Sequence, residues 1–325
     1  MGCYGQDMIG PALNENPALP TANGLREMLA GGEKTLAAAV PVLRHLLGAG
    51  DPAMFCDAAL AQVRGMLGDL ARHLLAARAE AADLRDAPEF IEANERALTG
   101  MLAAEDALLA HVHALALEKI MAERLQAAVA LDPVVSALVQ DCIGADNDEV
   151  AGLAMEALAA QARFGQQQQR MELPSQELPD DLFLQAVLAM RAHAGAGDID
   201  AQNAEGLLRD RRRGRPARLT LIDDLLAEGD IDVASRLSVS HAGLAIFLSA
   251  LALASGQERA TLVLSLFARE SLFPALAMRA AGLEPEQVER QLAVLGAEPF
   301  AGGDLADISS AEAAMLLARR SAGGE

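Results

Sequence analysis

Tryptophan is absent from this 325-residue chain, aromatic residues amount to 3%, and there is one Tyr. With hydrophobic residues at 52%, the core must therefore be built from Ala, Leu, Val and Met. Small side chains of that kind suit helices packed closely on one another. Runs rich in Val, Ile, Thr, Tyr and Phe, the material of strands, are scarce. Lysine is scarce too: only Lys34 and Lys119 among the 26 basic residues. That bias also fits a GC-rich genome, so the abundance of Ala by itself says little about helix.

The three cysteines, Cys3, Cys56 and Cys142, are too far apart for a metal-ligand pattern and odd in number for a disulfide framework. They point to a reducing cytoplasm. The first twenty residues lack a basic segment followed by an apolar one, which argues against a signal peptide. Met1-Gly2-Cys3 lacks the Ser or Thr of a myristoylation start, having Gln6 there instead. The longest uncharged apolar stretch, 242–255, is too short to cross a bilayer and reads as a buried helix. Positive charge is also in deficit: 26 Lys and Arg against 46 Asp and Glu give a net charge of −20. Such a chain is repelled by nucleic acid phosphates and by anionic membranes, so neither is expected as a partner.

Catalytic signatures are missing. There is no GxxxxGK[ST] phosphate loop, no GxSxG nucleophile turn and no HExxH pair. The acidic clusters at 146–149 and 223–224 do not meet the calcium-loop pattern and read as helix caps. His111 and His113 stand two apart on a helical stretch, roughly 200° around its axis, and cannot share one metal. No catalytic residue, metal or cofactor is expected, and the chain reads as a non-enzyme.

What is present is helical periodicity. Asp146-Asn-Asp-Glu-Val-Ala-Gly-Leu-Ala-Met-Glu-Ala-Leu158 joins a capping start to an apolar stripe of Val150, Leu153, Ala154, Ala157 and Leu158. Leu98, Leu102, Leu109, Val112, Ala116 and Ile120 form another stripe, with Gly100 marking a break. Asp132-Pro133 and 147–150 each predict a helix start. Helices are expected at 33–48, 52–82, 180–193, 220–228, 243–255, 257–269, 274–281 and 285–295, and at 309–320 as a loose terminal helix. The pattern predicts an all-α fold: an N-terminal helical bundle or irregular repeats passing into HEAT-like α-α repeats, then a compact C-terminal helical module. Its segments are a loose arm (1–20), the bundle with a HEAT-like repeat (21–164), a linker (165–180), the C-terminal module (181–297) and a flexible tail (298–325). The linker is inferred from Gly165-Gln-Gln-Gln-Gln169 and the prolines Pro174 and Pro179.

Two candidate sites stand out. One is the arginine run Arg209, Arg211, Arg212, Arg213, Arg215 and Arg218, whose planar forks match carboxylate or phosphate. It is either a contact for an acidic partner or a solvated loop neutralised by acids such as Asp223, Asp224 and Glu228. The other is a pair of histidines, His45 and His73, each followed by two leucines. A histidine exposed on a helical bundle can accept a phosphoryl group, although the usual adjacent Lys is replaced by Leu at both positions.

Met171-Glu-Leu-Pro174, Glu177-Leu-Pro-Asp-Asp-Leu-Phe183, 186–194 (AVLAMRAHA), 243–256 and Met278-Arg-Ala-Ala-Gly-Leu283 together resemble an uncharacterised bacterial family, domain of unknown function 2336. The resemblance spans roughly residues 95–297 and implies HEAT-like helical repeats with no assigned reaction. The expected function is a protein-interaction scaffold in bacterial cytoplasmic regulation, its partner an acidic or signalling protein. The alternative is a phosphotransfer accessory protein using His45 or His73. A small-molecule pocket between the two helical regions is a third reading, requiring a deep cavity with convergent polar groups.

Overall fold

The computed structural model describes residues 39, 41, 57–268, 271–297 and 305–322. Among these residues there are fourteen α-helices and no strand, so the fold is all-α. The helices are α1 (Asp57–Ala81), α2 (Ala87–Ala104), α3 (Asp106–Val129), α4 (Ala137–Ile143), α5 (Asp148–Gln169), α6 (Asp180–Ala194) and α7 (Ile199–Arg212). They continue as α8 (Arg218–Glu228), α9 (Val233–Arg236), α10 (Val239–Ser255), α11 (Arg259–Phe267), α12 (Leu272–Ala280), α13 (Pro285–Val294) and α14 (Ser310–Ala322). The 1–20 arm, the expected helix at 33–48 apart from residues 39 and 41, His45, Cys3, Cys56 and the start of the tail at 298–304 lie outside the described residues.

Local chemistry sets many of the boundaries. The Asn147 side chain accepts the N–H groups of Glu149 and Val150 at 3.0 and 3.4 Å and opens α5. Pro88 sits in the first turn of α2, where its missing N–H costs nothing. Gly256, at φ 66°, closes α10 in the left-handed conformation. Two expectations shift. Gly100 stays inside α2, and the break falls at Glu105, the extended residue between α2 and α3. Asp132 accepts Val134 and Val135 N–H at 2.7 and 2.8 Å, which closes a turn; α4 starts later, capped by Ser136.

The glutamine run is helical and completes α5. Gln168 is buried there, and Gln62 of α1 donates to its carbonyl at 2.8 Å and to its Oε1 at 3.0 Å. Those bonds supply polar partners that water would otherwise provide, so the run stays in the helix. The connection is shorter than 165–180 and contains one 3-10 turn, Ser175–Glu177.

Two apolar cores result. One gathers α1, α2, the first half of α3, Leu173, Leu178 and helices α6 and α7. The other gathers the second half of α3 with α4, α5, α8 and α10–α14. Helix α3 belongs to both: Leu108, Leu109, Val112 and Leu115 face the first, while Ala114, Leu117, Met121 and Leu125 face the second. Helix α7 packs on α1 and α11 packs on α3, so contacts join segments distant in the chain. Among the described residues no single helix is long and apolar enough to cross a membrane.

Candidate functional site

The junction of the two cores holds a buried charge cluster. Glu118, on α3, stands four residues after Ala114 and three before Met121, on a face otherwise apolar. Arg218, the first residue of α8, meets it with two bonds: Nη1 to Oε1 at 2.9 Å and Nη2 to Oε2 at 3.2 Å. Arg259, the first residue of α11, adds Nη1 to Oε2 at 2.9 Å. The Arg218 guanidinium also donates to Gln161 Oε1 at 3.0 Å and lies 4.0 Å over the Phe164 ring of α5. Its backbone N–H donates to Glu177 at 3.0 Å, which fixes the start of α8. Burial alone would raise the Glu118 carboxyl; the guanidiniums of Arg218 and Arg259 overcome it and hold the carboxyl well below the usual carboxylate range.

Beside this cluster lies a cleft of about 500 Å³. Ala107, Ala110, His111, Ala114 and Leu115 of α3 form one wall, with small residues spaced to leave a trough. Leu219, Thr220 and Asp223 of α8, Ser249 and Leu253 of α10, and Glu258 and Arg259 at the start of α11 form the others, with Glu177 and Asp181 at the connection. Four buried atoms of its lining have no hydrogen-bond partner: His111 Nε2, Ser249 Oγ, and Nε and Nη2 of Arg259. Nε and Nη2 form one edge of a guanidinium, two parallel N–H donors matched to a carboxylate. An orphaned buried donor costs about 1–3 kcal/mol, more when charged. The two guanidinium atoms can only donate and the Ser249 hydroxyl can donate, so at these three atoms a bound group would supply acceptors. Burial first, then the guanidiniums of Arg259 and Arg218, lower His111 to about 4, so its ring is neutral near pH 7. Burial raises the Asp223 carboxyl, against the nearby charge of Arg259.

The arginine run is not one site. Arg209 grips Glu205 at 2.8 and 3.0 Å, Arg211 pairs with Glu80, and Arg213 pairs with Asp210 at 3.0 Å. Arg212 donates to the carbonyls of Ser175 and Leu178 at 2.6 and 3.0 Å and lies 4.4 Å over Phe183. Arg215 is exposed, whereas Arg218 is 1% exposed. Acids do neutralise the run, but Glu80, Asp180, Glu205, Asp210 and Glu118 do so, rather than Asp223, Asp224 and Glu228. His73 lies on α1 with its side chain 46% exposed and Nδ1 3.3 Å from Asp69 Oδ2. Glu118, Ser249 and Arg259 are absent from the candidates read from sequence. The one signal for them was a carboxylate on the apolar face of α3.

Comparison of the chain with family models, with curated proteins and with solved structures returned no match.

Proposed function

We propose that this chain is a binding protein of cytoplasmic regulation, non-enzymatic, whose cleft between the two cores receives a carboxylate-bearing group from a small ligand or a protein partner. The expected interaction scaffold and its HEAT-like kinship belong to this proposal. The unpaired guanidinium edge of Arg259, set beside unpaired Ser249 Oγ and His111 Nε2, carries it. The cleft volume falls within the roughly 300–1,000 Å³ usual for ligand sites. Binding is favoured over turnover because no hydrogen bond joins Ser249 Oγ to His111 Nε2 as nucleophile to base. Native mass spectrometry of the full chain from its own cytoplasm tests the reading. A bound carboxylic acid or protein partner is expected on the wild type and lost in Arg259→Gln. Equal retention by both rejects it.

A second reading has one observation behind it. Asp69 holds His73 Nδ1, which directs the free electron pair to Nε2 on an exposed side chain. That is the arrangement a phosphoryl-accepting histidine needs. The chain incubated with radiolabelled phosphoramidate would then gain an acid-labile phosphoryl group that His73→Ala lacks. Labelling that survives the substitution rejects it.

A further inference from the structure

The cleft has a polarity along its depth. Its unpaired donors are buried: Ser249 is 1% exposed, and the free atoms of Arg259 and His111 are closed to water. Its carboxylates lie farther out: Asp223 and Glu177 are half-buried, Asp181 and Glu258 exposed. Leu253, 59% exposed, stands among them as an apolar side chain on open surface.

A simple anion is poorly served here. It would have to pass four carboxylates and approach a chain of net charge −20 to reach one guanidinium edge. A simple cation would find the outer acids but leave the inner donors unpaired. A neutral molecule carrying both charges meets neither obstacle. Its carboxylate takes the Arg259 edge and the Ser249 hydroxyl, its ammonium stays with Asp223 and Asp181, and an apolar remainder covers Leu253 and the alanines of α3.

Resting on the reading of the cleft as a carboxylate site, we propose that its ligand is a small zwitterion, an amino acid or dipeptide with an apolar side chain. Entry requires a rotamer change in the cleft wall, because the inner donors are covered by protein.

Calorimetric titration of the full chain with four probes separates the possibilities. These are L-leucine, L-leucyl-L-leucine, 4-methylpentanoate (carboxylate alone) and 3-methylbutylamine (ammonium alone). One of the zwitterions is expected to bind at least tenfold more tightly than either singly charged probe. That affinity should fall at least tenfold in Ser249→Ala and in Asp223→Asn, neither of which removes a member of the Glu118 cluster. If 4-methylpentanoate binds as tightly as the zwitterions, the carboxylate site stands and the zwitterion is wrong. If only the amine binds, or no probe binds at millimolar concentration, both are wrong.

Discussion

Arg218 joins Glu118 across 100 residues of chain with two parallel bonds, of 2.9 and 3.2 Å, and both side chains are almost fully buried. The pair, with Arg259, ties α3, α8 and α11 together at the boundary of the two cores. Removing one member of a buried ion pair leaves the others desolvated and unpaired, which costs about 3–5 kcal/mol. Glu118→Ala is therefore expected to be among the most destabilising single substitutions, with two guanidiniums left behind. Replacing Glu118, Arg218 and Arg259 together by leucine should cost less than Glu118→Ala alone. Urea denaturation midpoints for the two variants decide it; a triple variant weaker than the single one contradicts the account.

The arginine run yields a contrast among neighbours. Arg209, Arg211 and Arg213 make exposed pairs with Glu205, Glu80 and Asp210. Pairs of that kind contribute about 0–1 kcal/mol each. Arg212 instead satisfies two carbonyls of the α6 entry and stacks on Phe183, with its side chain 16% exposed. Substitution by Gln at Arg209, Arg211 or Arg213 is expected to shift stability by under about 0.5 kcal/mol. Arg212→Gln is expected to cost about 1–3 kcal/mol, since it strips a charged donor from two carbonyls. Thermal melts of the four variants test the ranking.

These two cases show what was legible in the sequence. Helix starts written in local chemistry were readable: Asn147 in a capping start, and the starts expected at 180 and 285. So was the all-α class, from the stripes. The glutamines at 166–169 misled because a polar run reads as a connection, and only the distant Gln62 gives Gln168 a reason to be buried. Arg218 was counted with the surface arginines because sequence proximity groups it with Arg215. The residue that decides its burial, Glu118, belongs to a helix 100 residues earlier in the chain. Likewise the cleft comes from four separated segments, and His111 alone among its inner residues was singled out, as half of a metal pair that helical geometry forbids.

Gly65 and Met171 form a testable pair. A Cβ on Gly65 would stand 2.5 Å from Met171 Cβ and 2.9 Å from its sulfur. Met171 itself has φ 56°, a left-handed conformation that disfavours a side chain. Gly65→Ala should cost about 1–3 kcal/mol through overpacking against the 170–174 connection. Met171→Gly removes the clashing atoms and suits the backbone, so the double variant should recover most of the loss. Denaturant midpoints across the four-protein cycle measure the coupling; strict additivity would place the strain elsewhere.

A different glycine governs the kink in α10. Gly243 has φ 76° and ψ 161°, a region essentially closed to side chains, and divides the helix after its first turn. A Cβ there would also meet Ser136 Cβ at 3.1 Å, at the cap of α4. Gly243→Ala is expected to cost about 1–3 kcal/mol from the backbone alone. Gly100, in open space within α2, provides the control. Gly100→Ala should stabilise the helix, by about 0.5–1 kcal/mol. Opposite signs from the same chemical change, read from two melting curves, would locate the constraint in backbone geometry.

Acid should act on the shared helix first. His111 and His113 on α3 are both lowered to about 4 from an ordinary 6.5, chiefly by burial and, at His111, also by the guanidiniums of Arg259 and Arg218. Between those values the unfolded chain binds protons that the folded chain refuses. Stability linked to these rings is thus fully present above about pH 6.5 and is lost as pH falls toward 4. The loss is on the order of 3 kcal/mol for each ring. Glu118 adds little above about pH 5, because its carboxyl is ionised there in the folded and the unfolded chain alike; its own loss begins near the ordinary 4.5. Denaturant midpoints at pH 7.5, 6 and 5 should therefore fall steadily in the wild type and much less in His111→Gln/His113→Gln. If the double variant loses stability as steeply, other groups carry the acid sensitivity and the two rings are not held neutral.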